Sequence, residues 1–232
     1  MQQVKSFGWR VVAGFLVVLL LPTAILFIAA GRVDWWEAWL LVAISASFTI
    51  GSRIMLFRTS PDLVQERARW TEGERAKSWD RVLLPIVAIC GPLVVWLVAG
   101  LDKRFGWSPP VTLAVELAGF AITVFGYWVG TWAALVNRFF SAVVRIQTER
   151  GHTVVTSGPY RFVRHPGYAG GALAYLAMPL ALGALGAFVP AVLTVAAIVV
   201  RTALEDRTLQ AELPGYTSYA QKTRYRLLPG IW

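Results

Sequence analysis

Five apolar runs bounded by polar stretches divide the chain, at residues 11–30, 36–57, 82–101, 111–136 and 166–200. A helix crosses ~30 Å of hydrocarbon with about 20 residues at ~1.5 Å of rise each, and the first four runs suit one crossing apiece. The last holds no charged residue over 35 positions, so as one helix it would be about 50 Å long, too long for a single crossing. Gly183, Gly186 and Pro190 interrupt it near its middle, where a turn would leave two helices of about 16 residues. The pattern therefore predicts an all-α polytopic membrane protein with about six transmembrane helices, the last two forming a helical hairpin.

The polar connections orient this arrangement, because Lys and Arg are retained on the cytoplasmic side of membrane proteins. Of 22 basic residues, 18 fall on one face: before the first span, between the second and third, between the fourth and fifth, and after the last. Arg32, Lys103 and Arg104 fall on the other, with Arg53 inside a span. Both termini are thus expected to be cytoplasmic. The connector 60–81 reads as amphipathic and partly helical, with Pro61 and Asp62 as a helix start. Tryptophans at span ends, among them Trp35, Trp36 and Trp107, suit the membrane interface as anchors.

Composition agrees with this picture: 56% of residues are hydrophobic and the mean hydropathy is +0.57. The net charge of +9 follows from basic loops beside anionic headgroups and does not call for nucleic acid. The first apolar run is longer than the ~15 residues of a signal peptide's core and lacks a small-residue cleavage site, so it is expected to be retained. One cysteine, Cys90, and two histidines offer neither a disulfide framework nor a usual metal ligand set. No glycine-rich dinucleotide turn and no phosphate loop is present.

Chemistry concentrates after residue 136, in the blocks "NRFFSAVVRIQTERGHTVVTSGPYRFVRHPGYAGG" and "RTALEDRTLQAELPGYTSYAQKTRYRLLPGIW". The expected hairpin brings them to one membrane face. Arg201 and Glu205, four apart, share a helix face and are able to pair. A guanidinium so held can grip a carboxylate at two points, although the same residue could merely mark the interface. His165 stands before Pro166, at a helix start; it could donate to an anion, accept a proton or cap the helix. Gly167, Gly170 and Gly171 permit close approach of a ligand or of another helix. Gly126 and Gly130 have the small-xxx-small spacing of close-packed helices. Glu116, less than two turns inside the fourth run, reads as a residue that snorkels to the outer rim rather than a functional group. Tyr216, Tyr219 and Tyr225 among Lys222, Arg224 and Arg226 suggest a helix lying near the membrane surface.

Taken together, "GHTVVTSGPYRFVRHPGYAGG", the uncharged run, "RTALED" and the ending "RYRLLPGIW" resemble the isoprenylcysteine carboxyl methyltransferase family, a branch of the membrane methyltransferases that includes phospholipid methyltransferases. The resemblance covers about residues 137–232. It implies methyl transfer from S-adenosyl-L-methionine to a lipophilic acceptor at the cytoplasmic face, with a cofactor-binding loop, the hairpin and the tail forming a catalytic region and residues 1–136 setting acceptor specificity. By that resemblance the cofactor is held by Gln147, His152, Thr153, Val154, Val155, Tyr160, His165, Pro166, Gly167 and Tyr168. Arg201 and Glu205 match the arginine and glutamate of the catalytic end, and Asp206 stands where many members have a second glutamate.

The polar knot "PYRFVRHPGY", with Arg161, Arg164 and His165, would then seat the polar parts of the cofactor, its carboxylate included. A carboxylate acceptor needs no base; Arg201 would orient it and Glu205 would orient Arg201. An amine or thiol must lose a proton, to Glu205 or His165. Rival readings are a sterol-type reductase using NADPH and a non-catalytic membrane scaffold; a transporter would place its polar groups near the bilayer midplane.

Overall fold

The computed structural model describes residues 17–68 and 77–232, and every regular element among them is helical. Residues 11–16 of the first apolar run and 69–76 of the connector, with Arg69 and Arg75, lie outside the described residues. We number the helices α1 (Val17–Ala30), α2 (Trp36–Thr59), α3 (Pro61–Ala68), α4 (Asp80–Phe105), α5 (Leu113–Val136), α6 (Pro166–Ala181), α7 (Phe188–Glu212) and α8 (Tyr216–Lys222). The stretches Trp36–Thr59, Asp80–Phe105, Leu113–Val136 and Leu185–Glu212 are long and apolar enough to cross a membrane. The chain is an integral membrane protein. Phe57, Phe125, Trp128 and Leu193 stay exposed on these helices, as side chains that face lipid should.

The uncharged run breaks where its glycines permit. α6 ends at Ala181, and Gly183 turns the chain at φ 59, a left-handed conformation that favours glycine. Pro190 lies inside the first turn of α7 rather than in the break. There its missing N–H has no helical partner to lose. α7 then runs 12 residues past Val200 to Glu212, which puts Arg201, Glu205 and Asp206 on one rigid rod with the apolar segment.

Small residues set how closely the helices pack. A Cβ on Gly126 would lie 2.5 Å from Gly170 O and 2.9 Å from Ala174 N, and one on Gly119 would meet the backbone of Ala181. α5 and α6 therefore touch backbone to backbone, as the spacing of small residues suggests. Gly130 and Gly171 have no such tight neighbour, whereas a Cβ on Gly167 would strike the Phe140 ring at 2.7 Å. Gly100 brings α4 against α1 at Leu26 O, and Gly91 brings it against Thr194 of α7. Around Ala174, Met178, Ala181 and Leu182 of α6 these contacts build the main core, with Leu26, Leu41, Val95 and Phe120.

Two expectations change. Trp35 is no interfacial anchor: it is 1% exposed within the main core, with Lys103 Nζ 5.3 Å above its ring. Trp36 and Trp107 are exposed as anchors should be. Glu116 does not snorkel to solvent; it is buried in the first turn of α5, and its carboxylate lies 3.1 Å from where a Gly183 Cβ would stand. Nearby, Asp102 accepts hydrogen bonds from Gly186 N at 2.7 Å, Ser108 N at 2.8 Å and Ser108 Oγ at 2.5 Å. Asp102 thus braces the turn between α6 and α7, and Glu116 packs beside it at Gly183.

Candidate active site

At the other end of α7 a buried carboxylate organises the polar blocks. Asp206 accepts from Arg164 Nε (2.7 Å), His165 Nε2 (3.2 Å) and Tyr216 OH (3.0 Å) at one oxygen. Its other oxygen takes Arg164 Nη2 (2.9 Å), Gln210 Nε2 (2.8 Å) and Arg226 Nε (2.9 Å). Buried ionised carboxylates persist when each lone pair finds a donor, and here two arginines also balance the charge. The cluster ties the start of α6, the body of α7, α8 and the tail into one unit. Backbone bonds from Arg164 N to Tyr225 O and from His165 N to Arg226 O complete it.

Arg164 is thereby committed internally. Its Nη1 also donates to Thr223 O and Arg224 O, so its guanidinium has little left for a cofactor carboxylate. Arg161 sits with its guanidinium 4.6 Å from the Phe162 ring. Arg164 and His165 of the cationic knot thus clamp the structure through Asp206.

Beside this cluster lies a pocket with about 330 Å³ of empty space, mouth included. Its walls are Asn137, His152, Thr153, Val154, Val155, Tyr160, Arg164, Leu209, Leu213, Tyr216 and Tyr219. Five of the cofactor residues expected from resemblance, His152 to Val155 and Tyr160, thus meet in one cavity. The loop that carries them is pinned by Asn137 Nδ2 donating to Tyr160 OH at 3.1 Å and by Tyr219 OH donating to Tyr160 O at 2.6 Å. Tyr216 and Tyr219 are buried in the pocket wall, so α8 does not present them to lipid. Burial raises all three phenols, Tyr219 to about 12, and Asp206 raises Tyr216 further; each remains a neutral donor at physiological pH. Burial, then Arg150 and Arg145, lowers His152, which therefore stays neutral.

The other expected cofactor residues lie elsewhere. Gln147 is 1% exposed and engaged internally: its Nε2 donates to Phe139 O at 2.8 Å and its Oε1 accepts from Arg150 Nη1. It shapes the loop and does not line the pocket. His165 and Pro166 are buried at the start of α6, joined to the pocket wall through Tyr216 OH, 3.3 Å from His165 Nε2. Gly167 packs on Phe140. Tyr168 OH donates to Glu205 Oε2 at 2.5 Å.

The largest surprise concerns Arg201. It does not pair with Glu205; it donates Nε to Asp80 Oδ1 at 2.7 Å and Nη2 to Asp80 Oδ2 at 3.2 Å, with a further bond from Nη2 to Ala142 O at 2.7 Å. Asp80 also accepts from Val144 N at 2.7 Å. A fully buried carboxylate at the start of α4 outcompetes a half-buried one on the same helix, because it offers two oxygens side-on and is better shielded from water. Arg201 also lies 5.3 Å from the Tyr168 ring. Glu205 Oε1 is 4.0 Å from His165 Nδ1. Sequence reasoning missed Asp80 because 121 residues separate it from its partner and nothing local distinguishes it from a solvated helix-start aspartate.

Residues 119–211 match the model of the isoprenylcysteine carboxyl methyltransferase (ICMT) family. That segment is thus similar to the isoprenylcysteine carboxyl methyltransferase family. The chain is also similar to "Cobalt-zinc-cadmium resistance protein CzcN" of Cupriavidus metallidurans, 32% identical over 122 residues. That match spans 50% of this chain and 49% of the relative. The matched segment takes in most of α5, the pocket loop, α6 and nearly all of α7, including Arg201, Glu205 and Asp206. It begins after Asp80 and ends before α8. Among the described residues no group of three or more His, Cys, Asp or Glu side chains is placed to hold a metal ion.

Proposed function

We propose that the protein is a membrane methyltransferase that uses S-adenosyl-L-methionine and acts on a lipophilic acceptor. The observation that carries this reading is the convergence of His152 to Val155, Tyr160, Tyr216 and Tyr219 on one cavity inside the family segment, a turn of α7 away from Glu205. The residues around the cavity suit an adenosyl sulfonium in their chemistry. The aromatic faces suit an adenine and a cationic sulfur, and the walls Val154, Val155, Leu209 and Leu213 suit the apolar edge of the nucleoside.

When bound, this cofactor supplies a methyl group on a positively charged sulfur that needs no further activation. The protein's part is to hold, orient and exclude water. The pocket loop and the tyrosines hold the nucleoside, and His165, set by Asp206 and Tyr216, orders the passage toward Glu205. Arg201, fixed by Asp80, forms with Glu205 and Tyr168 the end at which the acceptor is presented.

In the membrane the arrangement expected from the apolar runs places six spans with α6 and α7 as a crossing hairpin, both termini and the site on the cytoplasmic side. Residues 137–232 form the catalytic region, and the helices before them shape the acceptor route. The excess of basic residues on that face supports this orientation. A reductase would take NADPH in the same region. Calorimetric titration of the detergent-purified protein with S-adenosylhomocysteine, with NADPH alongside, decides between them. Micromolar affinity for the former alone is expected; affinity for NADPH alone, or for neither, overturns the proposal.

A further inference from the structure

Large apolar side chains left exposed mark where this protein meets lipid, and four of them lie away from the spans. Among the described residues the others sit on α1, α2, α4, α5 and α7 or, for Val33 and Trp107, in the short links beside them. Phe162, Tyr225, Leu228 and Ile231 belong instead to the stretches before α6 and after α8. Ile231 is 78% exposed, the most of any large apolar side chain described, and Phe162 is 53% exposed. A patch of this kind marks a surface that meets another apolar phase.

Two segments distant in sequence build it together. The bonds from Arg164 N to Tyr225 O and from His165 N to Arg226 O lay the chain at 225–226 beside 164–165. The tail then closes on itself: the N–H groups of Arg226, Leu227 and Leu228 donate to Trp232 O at 2.8, 3.0 and 3.3 Å. Leu227 is buried, and the Trp232 ring covers the Arg226 guanidinium at 4.8 Å. Leu228 and Ile231 are thus held outward by a folded loop.

Charge selects what the patch meets. Arg161, Lys222 and Arg224 are exposed around it, and no Asp or Glu occurs in residues 157–168 or 213–232. Arg164 and Arg226 are spent on Asp206. Arg161 holds its guanidinium 4.6 Å from the Phe162 ring, a cation over apolar surface, as snorkelling side chains are arranged at a lipid interface. A second copy of the chain would bring the same positive charge to the contact and be repelled. Anionic headgroups above hydrocarbon offer both the countercharge and the apolar depth. Position agrees, because Phe162 precedes by four residues the start of α6 at Pro166, where the last apolar run begins.

The sequence pattern puts the surface contact on α8, and the structure moves it. Tyr216 and Tyr219 are buried in the pocket wall, while Thr217, Ser218 and Gln221 make up an exposed polar side of that helix. We propose that Phe162, Tyr225, Leu228 and Ile231, with Arg161 and Arg224, form a membrane-docking surface that rests in the anionic headgroup layer, and that the polar side of α8 faces water. Arg226 joins this surface to Asp206, which also holds Arg164 and Tyr216 of the pocket wall. The bilayer thereby sets the height of the pocket above it, whatever the pocket binds.

The test uses the full chain in lipid nanodiscs, with Cys90→Ser and a nitroxide on Phe162→Cys, Ile231→Cys or Ser218→Cys, each an exposed position. Oxygen concentrates in lipid and a nickel chelate in water, so their collision rates read the depth of each label. In discs of phosphatidylcholine with phosphatidylglycerol, labels at 162 and 231 should meet oxygen in preference to the chelate, and the label at 218 the reverse. In phosphatidylcholine alone, or with Arg161→Glu and Arg224→Glu together, chelate access at 231 should rise severalfold toward that at 218, because each cation strengthens attraction to an anionic surface. Chelate access at 231 as high as at 218 in the anionic discs overturns the proposal. So does shielding of 231 from both reagents, which would mean that protein covers the patch; dipolar coupling between labels would then identify a second copy. A depth at 231 that ignores both lipid charge and the paired charge reversal also overturns it. The labels at 162 and 231 report separately, so the result stands if either variant fails to fold.

Discussion

Helix α4 carries a buried aspartate at each end, and the two are used differently. Asp102 is filled by neutral donors, Gly186 N and both polar groups of Ser108; it shapes a turn. Asp80 is filled by a guanidinium and one backbone N–H; it fixes a charged side chain against the Tyr168 ring. A carboxylate satisfied by backbone amides sets local conformation, whereas one satisfied by a charged side chain sets the electrostatics of a site. Glu116 and Asp206 extend the contrast, the first braced against a glycine turn and the second gathering Arg164, His165, Tyr216 and Arg226.

The sharpest way to break this comparison is to empty the site end. Arg201→Ala should lower turnover by a factor on the order of 100 or more while S-adenosylhomocysteine affinity stays within about threefold, read by labelled-cofactor assay and calorimetry; a matching loss of affinity would merge the two roles. Asp206→Ala should come next. Leaving Arg164 and Arg226 without their counter-charge in a buried setting costs about 3–5 kcal/mol, seen as a lowered thermal midpoint in detergent, and S-adenosylhomocysteine affinity should fall with it because the pocket wall loses its anchor. Asp102→Ala should destabilise by only about 1–3 kcal/mol, the cost of orphaned neutral donors, with ligand affinity unchanged; any drop in affinity would show that the two ends are coupled. The smallest effect concerns His152. Its pKa is lowered on folding, so the unfolded chain binds more protons below about pH 6.5, and stability, complete above that value, declines as pH falls toward the lowered one. His152→Gln should flatten this slope in thermal melts between pH 7.5 and 5.5.

Much of the architecture was legible because it rests on local signals. Apolar run length marked the helices, Pro61 marked the start of α3, and Gly183 marked the break in the long run. The spacing of Gly126 announced a close contact, although which backbone it would meet was beyond local reading. The pocket loop was legible only through resemblance: nothing in the valines and threonine of residues 153–155 signals a cavity. What escaped was every long-range ion pair. Arg201 had a plausible partner four residues away, and the pairing with Asp80 depends on α4 and α7 lying side by side, a tertiary fact with no local trace. Trp35 escaped for the same reason: its burial depends on Lys103 and α1 closing over it.

The six bonds to Asp206 have a consequence for the chain as a polymer. They join residues 42 positions apart at Arg164 and 20 apart at Arg226, closing two loops through one point. Loop closure of this kind narrows the unfolded ensemble only where the link is covalent. An ionic knot imposes no such constraint once the chain opens, so segments 164–168 and 216–226 should lose amide-exchange protection together, as one cooperative unit, ahead of the glycine-packed pair α5 and α6.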